Sequence, residues 1–197
     1  MNKKGKKVLM AIDEQYDFIN GSLAVNGAED KTKKLAYHLH KNDGEYVLKI
    51  FTQDWHPFNH CSFKKNGGIW PMHCLQESKG AAIYDDVLKS AYDSFGKNLF
   101  LKKGFDKDKE SYSVFYDDVI AEYIKSEIEK VKKKYGDYQI DVCGIAKDFC
   151  VKETLKGLLK IVDGEKITVL NEFTPAIKDD NALNELVENY KIKIEEE

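Results

Sequence analysis

The chain has 197 residues, of which 42% are hydrophobic, and this suits a single globular domain with a full core. Its formal net charge of −3 gives no reason to expect binding to nucleic acid or to an anionic membrane surface. The apolar run from Val8 to Ile12 is too short for a signal peptide or a membrane span. We therefore expect a cytoplasmic protein with one domain over residues 1–197.

Apolar runs of strand length alternate with helical patterns along the chain. Strands are predicted over residues 7–13, 45–54, 98–104, 138–146 and 166–172, with an edge strand within 190–194. Helices are predicted over residues 28–42, 116–134, 148–162 and 181–190. Helices between successive strands indicate parallel pairing, because a parallel pair needs a long crossover. The predicted fold class is α/β: a single Rossmann-like three-layer α/β/α domain with a mostly parallel sheet of about six strands.

Residues capable of chemistry lie at the ends of the predicted strands. Asp13 ends the first strand, Asp54 the second and Lys103 the third, while Cys150 follows the fourth after a glycine turn. Ligands of open parallel sheets bind beyond the carboxyl ends of the strands. The sequence therefore predicts a site where these four residues meet. The long irregular stretch over residues 54–80 begins there, and such loops are usually functional.

Cys150 is the candidate nucleophile. It lies two residues into a predicted helix, with Asp148 as the expected cap. A helix N-terminus lowers the pKa of a thiol, and its N–H groups can hold an oxyanion. The base could be Asp13 or a histidine, with Lys103 stabilising negative charge. A buried core position is the alternative for Cys150 and is the interpretation for the other cysteines, which are Cys61, Cys74 and Cys143. Without a CxxC pair, free thiols are expected.

A candidate metal site begins at the end of the second strand. Asp54 and His56 point to the same side there, because the side-chain period of a strand is two. His60 and His73 follow in the loop. Carboxylate and imidazole suit zinc, iron or manganese, and three protein ligands with an open position are typical of a catalytic site. The alternative is a set of hydrogen-bonded loop histidines.

Five segments at these strand ends form a more specific pattern. They are "AIDEQYDFINGSLAV", "TQDWHPFNHCSF", "WPMHCLQESKGA", "KKGFDKDKESYSVF" and "CGIAKDFCVKET". Along nearly the whole chain they resemble, in order, the motifs of the nicotinamidases, within the isochorismatase-like cysteine hydrolases. The resemblance implies hydrolysis of nicotinamide to nicotinate and ammonia through a cysteine thioester, with pyrazinamide as a further substrate and NAD salvage as the context.

The same resemblance implies a role for each matched residue. The catalytic residues would be Asp13, Lys103 and Cys150. The metal ligands would be Asp54, His56 and His73, with His60 as a ligand or a near neighbour. The substrate ring would contact Phe18, Trp70 and Tyr112. The oxyanion would bind the N–H groups of Ala146 and Cys150, next to a cis peptide bond between Ile145 and Ala146. The implied cofactor is one divalent metal that binds the pyridine nitrogen, zinc by preference, with iron or manganese as alternatives.

Two positions depart from the family pattern. Glu77-Ser78 stands where Gly-Thr is usual, and Lys147 stands where Thr is usual. Two alternatives stay open: another cysteine amidase of the superfamily that uses no metal, and a non-catalytic module that binds a metal or ligand. The resemblance also implies self-association into a homo-oligomer.

Overall fold

The protein, described over residues 6–196 by a computed structural model, contains one six-stranded sheet. The strands are β1 (Lys6–Ile12), β2 (Tyr46–Asp54), β3 (Lys97–Lys103), β4 (Tyr138–Gly144), β5 (Ile167–Leu170) and β6 (Lys193–Glu195). Their order is β3-β2-β1-β4-β5-β6, and every pair is parallel. The predicted α/β class and strand number are confirmed. The predicted domain limits of 1–197 extend beyond the described residues at both ends and stay a prediction.

Helices cover both faces of this sheet. They are α1 (Tyr16–Ile19), α2 (Ala28–Lys41), α3 (Asp85–Asp93), α4 (Asp118–Tyr135), α5 (Lys152–Leu158) and α6 (Asn184–Tyr190). Successive side chains of β1 point to opposite faces. Val8 and Met10 therefore join the core that contains residues of α4 and α5, while Leu9 and Ala11 join the core formed with α2 and α3. This alternation produces the predicted three layers.

The strand order places the site at the centre of the sheet. The chain runs outward from β1 through β2 to β3 and then returns to β4 on the other side of β1. Strand order reverses between β1 and β4, and open α/β sheets bind their ligands at such a switch point. Gly144 ends β4 with a φ of 121°, where an added Cβ would lie 2.1 Å from the carbonyl oxygen of Ile12. Glycine therefore lets the ends of β1 and β4 approach closely.

Two elements were not predicted from sequence, and others are shorter than predicted. Helices α1 and α3 were missed because each is short, and α3 forms by packing against α2 and the sheet. Strand β5 and helix α6 are each shorter than predicted. Among the described residues, no helix is both long and apolar enough to span a membrane.

The helix predicted over residues 148–162 is wrong at both ends. A π-helical turn, Lys147–Val151, comes first, and α5 ends at Leu158. Asp148 does not cap this helix with its side chain. Its carboxylate accepts hydrogen bonds from the N–H groups of Ile177 and Lys178 instead, at 2.9 and 2.8 Å. The carboxylate that the sequence predicted as a helix cap is thus bound by the backbone of a segment about thirty residues away.

Candidate active site

Asp13 follows β1 directly and lies at the centre of the site. Its φ of 53° is left-handed, a conformation that aspartate tolerates better than most residues. The side chain is fully buried, and Oδ1 accepts a 2.7 Å hydrogen bond from the hydroxyl of Thr52 on β2. Its other oxygen, Oδ2, lies 2.9 Å from Nζ of Lys103. The turn after β1 therefore aims one carboxylate oxygen at the lysine.

Lys103 connects the other charged groups. It is the last residue of β3 and is in register with Asp54 on β2. Its Nζ binds Asp13, donates to Oδ1 of Asp54 and lies 3.5 Å from Sγ of Cys150. Lys102 points the other way and places its Nζ 3.2 Å from the ring centre of Trp55. The strand period thus decides which of two adjacent lysines reaches the site.

Burial and close charges set the protonation states of these groups. Burial raises the pKa of Asp13 even though Lys103 opposes the shift. Burial also acts to raise the pKa of Asp54, but Lys103 and His56 outweigh it and bring that pKa well below its usual value. For Lys103, burial is outweighed by Asp13 and Asp54, which raise its pKa well above normal. Lys103 is therefore a cation and Asp54 an anion, while Asp13 is the carboxylate poised to accept a proton.

Cys150 sits in the π-helical turn, buried against this charged group. Burial raises the pKa of its thiol well above the ordinary value, although Lys103 opposes the shift. The expectation that the helix end would favour a thiolate is therefore wrong, because the cost of burying the anion is larger. Single side-chain atoms of Asp13, Asp54 and Cys150 all lie within 4.8 Å of one another. A base within reach must then take the proton as the thiol reacts.

Asp54, His56 and His73 form a group that could hold a metal ion, with ligand atoms within 4.8 Å of one another. Nδ1 of His56 lies 3.1 Å from the carbonyl oxygen of Gly104, and Nδ1 of His73 lies 2.8 Å from that of Pro71. A carbonyl only accepts, so each Nδ1 carries the proton and each Nε2 keeps a lone pair.

Those two Nε2 atoms lie 3.4 Å (His56) and 3.7 Å (His73) from Oδ2 of Asp54. A carboxylate and two imidazoles oriented through their second nitrogen match the chemistry of divalent metal sites. The donor set therefore fits a divalent metal.

His60 lies beside this group and, with His56 and Glu110, forms a second group whose possible ligand atoms lie within 4.8 Å of one another. Its ring packs against that of His56, with centres 4.1 Å apart and the ring planes tilted by 32°. Nε2 lies 3.2 Å from the carbonyl oxygen of Lys109 and must donate to it, while Nδ1 accepts from the N–H of Ser62 at 3.2 Å. Burial and the nearby His56 lower the pKa of His60 to about 4. Both ring nitrogens of His60 therefore have hydrogen-bond partners, and its role as a ligand or a near neighbour stays a prediction.

Three residues that sequence reasoning missed hold the ligands in place. The side-chain amide of Gln15 donates to the carbonyl of Asp54 and accepts from its N–H, both at 2.8 Å. The carboxylate of Asp17 accepts from the N–H of Cys74 at 2.7 Å, directly after His73. Gly104 has a φ of 74°, and a Cβ there would lie 2.5 Å from the ring of His56. Gln15 and Asp17 could have been found from the sequence, because both lie within four residues of Asp13 in the polar segment "DEQYD".

A pocket lies beside the thiol of Cys150 and the Asp54–His73 pair. Every residue predicted to contact the ring or the oxyanion lines it: Phe18, Trp70, Tyr112, Ala146 and Cys150. The indole N–H of Trp70 donates to the hydroxyl of Tyr112 at 3.1 Å, which fixes the plane of the indole. The peptide bond between Ile145 and Ala146 is cis, as expected. The wall also contains residues that were not predicted, namely Leu23, Glu110, Phe149 and Ile177.

The departures from the family pattern have structural explanations. Glu77 is exposed with a left-handed φ of 61°. The hydroxyl of Ser78 accepts from the N–H of Ala81 at 3.2 Å and caps a short 3₁₀ turn. Lys147 is buried and pairs with Asp180 at 3.0 Å. None of the three lies among the charged groups around Lys103.

Comparison with known proteins gives a consistent set of relatives. No protein-family model matches the sequence. The chain is 29% identical over 212 residues to a nicotinamidase of Saccharomyces cerevisiae, covering 94% of this chain and 95% of that protein. The crystal structure of a pyrazinamidase of Pyrococcus horikoshii in complex with zinc matches with a TM-score of 0.76 and 27% identity, over 98% of this chain and 99% of that one. PnC1 from L. infantum in complex with nicotinate matches with a TM-score of 0.79 and 27% identity, over 98% and 93%.

Proposed function

We propose that the chain belongs to the nicotinamidase/pyrazinamidase family of isochorismatase-like cysteine hydrolases and that it hydrolyses nicotinamide to nicotinate and ammonia. Pyrazinamide, which has the same amide on a similar ring, is the proposed second substrate. One observation carries the proposal. A single cation, Lys103, contacts a candidate base, a candidate metal ligand and a candidate nucleophile beside an aromatic-walled pocket.

The first step is attack by Cys150. The substrate ring lies between Phe18 and Trp70, and its amide carbon faces Sγ. Asp13 takes the thiol proton while the sulfur forms a bond to the amide carbon. The raised pKa of Asp13, caused by burial, suits a group that must accept and later release a proton. Lys103 stabilises the negative charge that moves towards the sulfur.

The second step releases ammonia. The N–H groups of Ala146 and Cys150 hold the oxyanion of the tetrahedral intermediate. As the carbonyl re-forms, the carbon–nitrogen bond breaks and Asp13 gives its proton to the departing nitrogen. An acyl thioester on Cys150 remains. Asp13 then takes a proton from water, the hydroxide attacks the thioester carbon, and nicotinate leaves as the thiol regains a proton.

Asp54, His56 and His73 would hold the divalent metal, and we propose zinc. When bound, such an ion supplies a Lewis acid for the ring nitrogen of the substrate. The chain's own contribution is orientation: Asp54 shares its two oxygens between Lys103 and the histidine pair. One buried carboxylate, Asp54, therefore links the candidate metal ligands to the lysine that lies beside Cys150.

Location and assembly are further proposals. We propose a cytoplasmic enzyme, supported by the free thiols of Cys61, Cys74, Cys143 and Cys150. Self-association into a homo-oligomer is expected from the resemblance, and light scattering after gel filtration would test it.

The deciding experiment is ammonia release from nicotinamide and pyrazinamide by the purified, zinc-loaded protein. Production of one ammonia and one nicotinate per nicotinamide would support the proposal. A protein that binds nicotinamide without releasing ammonia would instead be a binding module. Undiminished turnover after removal of the metal would indicate an amidase that does not need it.

A further inference from the structure

Residues 175–180 form a strap that lies against the turn carrying Cys150. The carboxylate of Asp148, two residues before the cysteine, accepts from the N–H groups of Ile177 at 2.9 Å, Lys178 at 2.8 Å and Asp179 at 3.2 Å. Hydrogen bonds from a carboxylate to backbone N–H groups are charge-assisted and among the stronger ones in proteins. The strap is therefore tied directly to the candidate nucleophile's turn.

Lys147 ties the strap at both ends. Its N–H donates to the carbonyl of Pro175 at 2.9 Å, and its Nζ lies 3.0 Å from a carboxylate oxygen of Asp180. The lysine side chain is only 6% exposed, although that of Asp180 is 83% exposed. A buried lysine at this position, one of the two departures from the family pattern, thus has a partner on the strap.

The strap brings one apolar side chain to the pocket. Ile177 is half-buried and packs against the apolar cluster that contains Phe18 and Ala146. It lines the same pocket as Cys150 and Trp70. Its backbone N–H is held by Asp148, so the backbone that carries this side chain cannot move away without breaking that bond. The strap therefore places an apolar side chain in the pocket wall on an anchored backbone.

We infer that Ile177 determines which ring substituents the pocket accepts, with Asp148 and Lys147 as positioning residues for it. The inference rests on the proposed function and extends it to substrate selection. A substituent that projects towards the strap must displace a methyl group of Ile177 or move the clasped backbone. In a hydrophobic pocket, such a change in fit alters discrimination by about 10- to 200-fold.

The test measures kcat/KM for nicotinamide, its 4-, 5- and 6-methyl derivatives and quinoline-3-carboxamide. Ile177→Ala should raise the ratio of kcat/KM for at least one substituted amide to that for nicotinamide by about tenfold or more. Ile177→Phe adds volume and should lower the same ratio. Lys178→Ala, which changes an exposed side chain of the same strap, is the matched control and should leave all ratios unchanged.

The positioning role of Asp148 and Lys147 is tested by comparing KM with kcat. Asp148→Asn and Lys147→Met should raise KM for nicotinamide more than they lower kcat, and should shift the substituent ratios in the direction of Ile177→Ala. A merely structural role would lower the amount of active enzyme and leave every ratio and KM unchanged. Lys147→Met serves as the second variant if Asp148→Asn does not fold.

These experiments distinguish a failure of the role given to Ile177 from a failure of the proposed function. If the wild-type enzyme hydrolyses nicotinamide but both Ile177 variants keep its substituent ratios, the inference is wrong and the proposed function stands. If the wild-type protein releases ammonia from neither nicotinamide nor pyrazinamide, the proposed function fails and the inference fails with it.

Discussion

Replacing Lys103 by Met is the most informative single perturbation, because this cationic side chain contacts Asp13, Asp54 and Cys150 together. The side chains of Lys103, Asp13 and Asp54 are 2%, 0% and 7% exposed, so solvent cannot take over the lost charge. Removing one partner of a buried ion pair costs about 3–5 kcal/mol. Removing a preorganised electrostatic group from a catalytic site costs about 10²- to 10³-fold in kcat.

Lys102→Met is the matched control on the neighbouring position. It loses the contact with the ring of Trp55, which is worth about 0.5–1 kcal/mol at an exposed site. Urea unfolding and ammonia release should therefore separate the two variants clearly. Equal losses of stability and turnover in both variants would refute the assignment of Lys103 to the site. If Lys103→Met does not fold, Lys103→Arg, which retains the charge, can be measured in the same two assays.

The stability deficit of Lys103→Met should also depend on pH. In the wild type, Lys103 and His56 hold the pKa of Asp54 well below its usual value, so this carboxylate contributes stability that is lost as pH falls. Without the lysine, burial would raise the pKa of both carboxyl groups, and protonating them would relieve the variant. The difference in unfolding free energy between wild type and variant should therefore shrink towards pH 4. A constant difference would contradict the role of buried charge.

Three other predictions address the nucleophile, the metal and a buried acid. Cys150→Ala should abolish ammonia release while binding of nicotinamide, followed by calorimetry, persists; turnover near the wild-type level would exclude Cys150 as the nucleophile. The metal-loaded enzyme should hydrolyse nicotinamide at least about a hundredfold better than benzamide, which lacks the ring nitrogen. Chelation or His56→Ala should lower activity and narrow that preference, and equal turnover of both amides would contradict the role given to the metal. Burial raises the pKa of Glu14 from 4.5 to about 8, so folding at neutral pH requires a proton, and stability falls as pH rises between these values. Relative to Glu14→Gln, the wild type should lose about 3 kcal/mol of unfolding free energy between pH 4.5 and 7, and parallel pH curves would show that Glu14 stays ionised.

The sequence was sufficient to predict the six strands in order and four of the six α-helices of the described residues. Apolar runs at strand length, separated by helical patterns, require parallel pairing, and parallel strands bring their carboxyl ends to one edge. Asp13, Asp54 and Lys103 could be assigned to one site because each ends such a run. Strand periodicity also means that only one of the adjacent residues Lys102 and Lys103 can face this site. These properties are local, and they follow from the chain alone.

Only the tertiary structure decided the protonation state of the Cys150 thiol and the hydrogen bonds that orient the histidines. The sequence suggested a thiolate at Cys150, but burial, which depends on the whole fold, raises its pKa instead. The sequence indicated Asp54 and three histidines as candidate metal ligands, but not how the imidazole rings are oriented. In the structure, the carbonyl groups of Gly104 and Pro71 orient His56 and His73, while Ser62 and Lys109 contact His60.

Asp148 gives the clearest contrast between local signal and tertiary structure. Its sequence position was that of a helix cap, yet its carboxylate binds N–H groups about thirty residues away. Local sequence determines which hydrogen-bonding groups a residue carries. The fold determines which partners come within reach, and the half-buried carboxylate of Asp148 accepts hydrogen bonds from the backbone N–H groups that the fold brings to it.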